Sequence, residues 1–273
     1  MMSDKLSRRM LISIPGIPAI IALIWVGGIY FAIFMTVVML IAITEFYALA
    51  KVNELTPVRW IGWLMTLLIG YIYYFQPAMQ YKQIILVIIA FVTCVLLIEL
   101  FRNRPSPTLN IAITLMGVLY IPVLLGALIG VRNWDSVYHS NMTFGIIIAI
   151  WICDTAAYVV GKKWGRKKIF KRVSPNKTVA GTIGGYVGAL LTFVVMKETG
   201  FLGSGFRWID VLAFSIITGI FGQLGDFVES LIKRDAGVKD SGTILLGHGG
   251  VLDRFDSLIL ASPIAYLYLI TLS

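Results

Sequence analysis

Residues 29 to 49 read IYFAIFMTVVMLIAITEFYAL, and Glu45 is their only charge. A membrane-crossing helix needs about 20 mostly apolar residues, and a helix that is apolar all round belongs in lipid or deep inside protein. The same kind of run recurs along the chain. Windows near 10 to 26, 60 to 76, 83 to 101, 110 to 131, 143 to 160, 178 to 196, 209 to 228 and 257 to 272 are each predicted to be helical. With 58% hydrophobic residues, 14% charged residues and a mean hydropathy of +0.87, the 273-residue chain is far more apolar than a soluble domain. The expected fold is all-α, a polytopic integral membrane protein with about nine transmembrane helices. A break is expected at Gly27-Gly28, and the apolar run after Lys5, Arg8 and Arg9 has no clear small-residue cleavage site, so it is read as retained.

Charge sets the orientation. If the amino terminus is cytoplasmic, all but Lys82, Arg132, Lys197 and Arg207 of the 23 lysines and arginines fall in cytoplasmic segments. The expected location is therefore the inner, cytoplasmic cell membrane. The net charge of +9 is assigned to orientation and to anionic membrane lipids, and no nucleic-acid partner is expected. Cys94 and Cys153 both lie in apolar runs and form no metal-type or disulfide pattern. The chain divides into amino-terminal helices, 1–142, and a region 143–273 that carries polar loops at 161–177 and 229–256.

The chemistry is concentrated in those loops. Residues 230 to 256 place Ser230, Lys233, Arg234, Lys239, Asp240, Gly249, Gly250, Asp253, Arg254 and Asp256, with His248, between two apolar stretches. Asp154 and Asp226 lie inside apolar windows, where a carboxylate costs roughly 2.5–3.5 kcal/mol and so faces protein, water or a cation. Asp253 and Asp256 are three residues apart and share a helix face if the last helix starts early. With Asp226 they form a candidate site for a hard cation, which takes oxygen ligands. The alternative is that these acids neutralise Lys233, Arg234 and Arg254. Glu45 and Glu99 are read equally well as interfacial or functional acids, and Asp210, beside Arg207 at the opposite face, as interfacial.

The 161–177 loop is strongly basic, and most of its charges are expected to meet anionic lipid. Ser174, Lys177 and Thr178 precede a helix, whose amino terminus favours anions. The glycines at 181, 184, 185 and 188 are read as close helix packing, and Gly249 and Gly250 as either phosphate-approaching backbone or a turn. No P-loop is present.

The 230–256 stretch resembles the signature of the phosphatidate cytidylyltransferase (CDP-diacylglycerol synthase) family. The stretch from Asp154-Thr155 through Ser174-Pro175-x-Lys177-Thr178 to Gly184-Gly185 is similar to that family's middle region. Residues before about 150 match only as generic apolar helices. Leu246 stands where the family usually has a small turn residue, and Ala180 where an acid often follows.

The resemblance implies transfer of a cytidylyl group from CTP to phosphatidate, giving CDP-diacylglycerol and pyrophosphate. It also implies magnesium, with room for a second cation, and a homodimer in phospholipid synthesis. On this reading Asp226, Asp253 and Asp256 hold the cation, with Asp154 in support. Lys233, Arg234 and Arg254 neutralise phosphate, and His248 is a phosphate contact or loop organiser. Ser174, Lys177, Thr178, Lys239, Asp240, Gly249 and Gly250 contact substrate. The rival readings are a CTP-dependent transferase for another lipid phosphate and an ion-coupled transporter. The acids gather toward one membrane face, which disfavours the transporter.

Overall fold

The computed structural model describes residues 16–75, 81–134, 139–243 and 249–272. Nine helices occupy them: α1 (Gly16–Val26), α2 (Gly28–Ala50), α3 (Arg59–Phe75), α4 (Tyr81–Arg102), α5 (Pro107–Asn133), α6 (His139–Trp164), α7 (Val179–Glu198), α8 (Trp208–Asp235) and α9 (Leu252–Leu272). Among the described residues there is no strand, only an isolated antiparallel bridge between Lys168 and Thr178. Among the described residues every apolar window overlaps a helix. Six of them (α2, α4, α5, α6, α7 and α8) are long and apolar enough to cross a membrane. The exposed surface is itself apolar, with Trp25 73%, Leu100 72% and Phe101 82% accessible. That is the arrangement of a membrane protein, whose outer face is solvated by lipid.

The break between α1 and α2 falls at Gly27 and Gly28, whose φ values of 63° and 52° lie in the left-handed region that side chains with a Cβ avoid. The expected split is therefore a backbone requirement.

Two compact units form, one from 1–130 and 235–254, the other from 131–234 and 255–273. Packing thus groups the segment 235–254 with the amino-terminal helices, whereas the expected division at 142/143 was one of function. In the first unit α2 buries Phe31, Met35, Met39, Ala42, Ile43 and Phe46, a helical stripe. Tyr47 ends this stripe. Its ring lies between Gly62 of α3 and Gly117 of α5, where an added Cβ would come within 2.5 and 2.4 Å of it, and its hydroxyl donates to the Thr114 carbonyl at 2.9 Å. Glu99 is spent on structure: it accepts from Arg102 and Asn110, both at 2.7 Å, tying α4 to the start of α5. Pro122 lies in a π-type turn, Leu119–Val123, because proline lacks the N–H that would continue the α ladder.

In the second unit α6 and α7 pack along glycines. A Cβ on Gly184 would strike Val160 at 2.6 Å, one on Gly185 would meet the Cys153 carbonyl at 3.0 Å, and one on Gly188 would meet Ala156 at 2.9 Å. The glycine spacing thus serves helix packing. At the far end of α8, Asp210 caps the Arg207 backbone N–H at 2.7 Å and accepts from Tyr268 at 2.5 Å. Its role is structural, tying the start of α8 to Tyr268 of α9.

Candidate active site

The polar centre of the second unit is built by the loop between α6 and α7. Backbone bonds from Ile169 N–H to the Lys177 carbonyl (3.3 Å) and from Val179 N–H to the Lys167 carbonyl (2.9 Å) fold it back on itself. Thr178, extended at φ −123° and ψ 154°, caps α7 by accepting the Gly181 N–H at 3.1 Å. This geometry brings Lys177 onto α8. Its Nζ lies 2.5 Å from Asp226 Oδ2 and 4.4 Å from the centre of the Phe227 ring. Ser230, one turn along α8, donates to Asp226 Oδ1 at 3.3 Å. Gln223, nearly one turn before Asp226, donates to the Thr182 carbonyl at 3.1 Å and holds α8 to α7.

Around this pair opens a cavity of about 570 Å³ lined by Asp154, Lys162, Lys168, Asn176, Lys177 and Asp226 among others. That volume falls within the range of small-ligand sites, about 300–1,000 Å³. Its floor is glycine. A Cβ on Gly165 would lie 2.4 Å from Thr178 Oγ1, and one on Gly181 would lie 2.7 Å from the Ala157 carbonyl. Backbone therefore approaches backbone where α6 crosses α7, and charged side chains line the same cavity.

Asp154, Asp226 and Asp256 lie within electrostatic reach of one another and of Lys177. Carboxylates within reach of one another repel when ionised, and Lys177 offsets part of that repulsion. Such a donor set suits a hard divalent cation by its chemistry. Among the described residues, however, no three acidic, histidine or cysteine side chains converge to chelate one ion. Magnesium is commonly held by one or two carboxylates, with water and substrate phosphate completing its shell. Asp154 and Asp226, both on the cavity wall, are the residues able to do so.

Asp253 is engaged differently. Helix α9 starts early enough to carry both Asp253, in its first turn, and Asp256 just after it, but Asp253 Oδ2 accepts from Gly250 N–H at 2.7 Å, Ser241 N–H at 3.0 Å and Ser241 Oγ at 3.1 Å. It stitches the loop in front of α9. Gly249 has a φ of 80°, and a Cβ there would lie 2.5 Å from Asp253 Oδ2. In the same unit Glu45 of α2 accepts from Val251 N–H at 3.0 Å, Leu252 N–H at 2.8 Å and Ser241 Oγ at 3.1 Å.

The remaining expected residues are distributed as follows. Lys233 is buried and paired with Glu229, one turn away on α8. Arg234 Nε donates to the Val173 carbonyl at 3.3 Å, bracing the basic loop. Ser174 belongs to the turn that starts at Phe170 and does not line the cavity. Lys239, Asp240 and Arg254 are exposed. His248 lies outside the described residues.

Sequence reasoning left out several residues that the fold brings in. Lys162 and Lys168 read as surface charges, and Asn176, Gln223 and Tyr158 carry no chemical signature, yet all line the cavity. Gln223 did leave a trace, as an amide three residues before Asp226 in an apolar helix. Glu45 left the plainest one, being the single charge of its span.

The chain is similar to named proteins over most of its length. It matches the model of the cytidylyltransferase family over residues 7–272, so the likeness extends through the amino-terminal helices that read as generic. It is 42% identical over 154 residues to the phosphatidate cytidylyltransferase of Bacillus subtilis (strain 168), an alignment that covers 56% of each chain. With that of Staphylococcus haemolyticus (strain JCSC1435) the identity is 40% over 171 residues, 63% of each. These two alignments thus span less than two thirds of the relatives' length. With that of Staphylococcus aureus (strain COL) it is 34% over 248 residues, 89% of this chain and 91% of the relative. A family match that runs from the first helix to the last, over a helical membrane fold with one cationic and carboxylate-lined cavity, places the chain in the cytidylyltransferase family.

Proposed function

We propose that the protein transfers a cytidylyl group from CTP to phosphatidate, forming CDP-diacylglycerol and pyrophosphate at the cytoplasmic face of the membrane. The observation that carries this reading is the Lys177–Asp226 pair on the wall of a cavity that Asp154, Lys162 and Lys168 also line. Both substrates are polyanions. Bringing them together needs fixed positive charge, and a carboxylate set for a cation that bridges phosphates.

A phosphate oxygen of phosphatidate attacks the α-phosphorus of CTP. The new P–O bond forms as the bond to the β-phosphate breaks, and pyrophosphate leaves with that electron pair. A phosphate monoester has a second pKa of about 6, so at neutral pH the nucleophile is already ionised and no general base is required. Lys177 then orients and neutralises phosphate, with Lys162 and Lys168 at the rim. Asp226 holds Lys177 in place. Bound magnesium would supply further neutralisation of the triphosphate and would be held through Asp226 and Asp154. Asp256 lies within their field and Asp253 holds the loop before it. In this reading the cations Arg234, Arg254 and Lys239 neutralise phosphate, and His248 and Asp240 are assigned to substrate from the signature alone. The reading also includes nine spans with a cytoplasmic amino terminus and a homodimer, whose mass is measurable in detergent by light scattering.

The deciding experiment is pyrophosphate release by the purified chain with CTP, magnesium and phosphatidate, with the lipid product identified by mass. CDP-diacylglycerol is expected. Turnover only with another lipid phosphate would move the acceptor, and ion flux without CTP would replace the reading altogether.

A further inference from the structure

Glu45 lies on α2, in the half of the chain that carries none of the signature residues, and is only 4% exposed. It is nevertheless bound into the signature. One carboxylate oxygen accepts the Val251 N–H, and the other accepts the Leu252 N–H and the Ser241 hydroxyl. All three donors are neutral, and two belong to the start of α9, where the helix dipole favours negative charge. Ser241 has a single hydroxyl proton, which lies within hydrogen-bond distance of both Glu45 and Asp253. The two carboxylates therefore divide the loop's donors: Asp253 takes the backbone of 241 and 250, and Glu45 that of 251 and 252.

The signature glycines fit this arrangement. A Cβ on Gly242 would lie 2.5 Å from Glu45 Oε1, and one on Gly250 would lie 2.4 Å from Glu45 Oε2 and 2.2 Å from Ser241 Oγ. These two glycines leave the space into which a side chain from a distant helix enters.

We infer that Glu45 is a positioning residue for cytidylyl transfer, holding the 249–252 turn and the first turn of α9 so that Asp253 and Arg254 are presented in one fixed arrangement. The inference rests on the function proposed above. Asp253 is tied to the turn through Gly250 and Ser241, and a displacement of about 1 Å in such groups can cost on the order of 100-fold in rate.

The test uses the full chain, purified, with Glu45→Gln and Ser241→Ala. Glutamine keeps the volume but sets an amide N–H₂ against a backbone N–H. Glu45→Gln is expected to lower kcat by about 10- to 100-fold with KM for CTP within about 3-fold, since it displaces reacting groups rather than removing a binding contact. Amide exchange at Val251 and Leu252 should accelerate while that of α6 and α7 stays unchanged. Ser241→Ala is expected to lower kcat less, and the double variant no further than Glu45→Gln alone, because both act through one network. A folded Glu45→Gln protein with unaltered kcat would overturn the inference. So would faster exchange spread evenly over the whole chain. If Glu45→Gln does not fold, Ser241→Ala decides, and an unchanged kcat there overturns it equally. Absence of turnover in the unaltered protein would instead count against the proposed function, whereas exchange at Val251 and Leu252 tests the hold of Glu45 on the turn without any turnover.

Discussion

Lys177 carries one of eight basic side chains between 162 and 177, and composition gives no reason to separate it from its neighbours. The backbone bridge at Lys168 and Thr178 does so by turning it toward α8, where it meets Asp226 at 2.5 Å. Replacing Lys177 with alanine removes a hydrogen bond between charged groups, worth about 1.5–3 kcal/mol. KM for CTP is expected to rise by roughly 10- to 100-fold while the protein still elutes as a single species; steady-state kinetics with detergent chromatography checks both. Asp253 invites a paired test. Asparagine can present an oxygen to Ser241 and Gly250 and so keep the loop bonds while removing the charge, whereas alanine removes both. If the charge matters to turnover, Asp253→Asn loses activity with normal amide exchange at Gly250, and Asp253→Ala loses activity with faster exchange there. Equal, near-normal turnover of Asp253→Asn would leave this aspartate with a loop-holding role alone.

The crossing of α6 over α7 is decided by backbone, not side chains. Gly185 faces the Cys153 carbonyl at a distance that leaves a Cβ at 3.0 Å, so neither helix can yield without sliding. Alanine there is an ambiguous test, since its better helix propensity offsets part of the crowding. Valine is not ambiguous. Gly185→Val is expected to destabilise the second unit by about 1–3 kcal/mol, the usual cost of overpacking, read as a lower melting temperature in detergent. Because these helices also carry Asp154, Lys162 and Thr178 around the cavity, kcat should fall with stability. The six long apolar helices were legible as windows because lipid imposes length and composition on every span. The start of α7 was legible too, at its cap Thr178, whereas α9 begins at Leu252 rather than 257, since its start depends on Glu45, far away in sequence, and on Asp253.

Across the whole molecule the distribution of Lys and Arg sets the expected orientation. With Cys94 and Cys153 replaced by alanine, a cysteine at Arg166 should react with an impermeant maleimide only in inside-out vesicles; labelling from the opposite face would reverse the topology. Removal of divalent cations with a chelator is expected to abolish turnover, and added magnesium to restore it, which tests the cation role proposed for Asp226 and Asp154. Sequence alone determined that the chain is a helical membrane protein, where its helices lie and which family its polar loops resemble, because hydropathy and motif spacing are local along the chain. Only the tertiary structure decided which charges meet. Lys177 pairs with Asp226 across 49 positions and Glu45 reaches Leu252 across 207, and both depend on glycines that let helices and loops approach at backbone distance. Such pairings are set by three-dimensional packing, and neither composition nor periodicity records them.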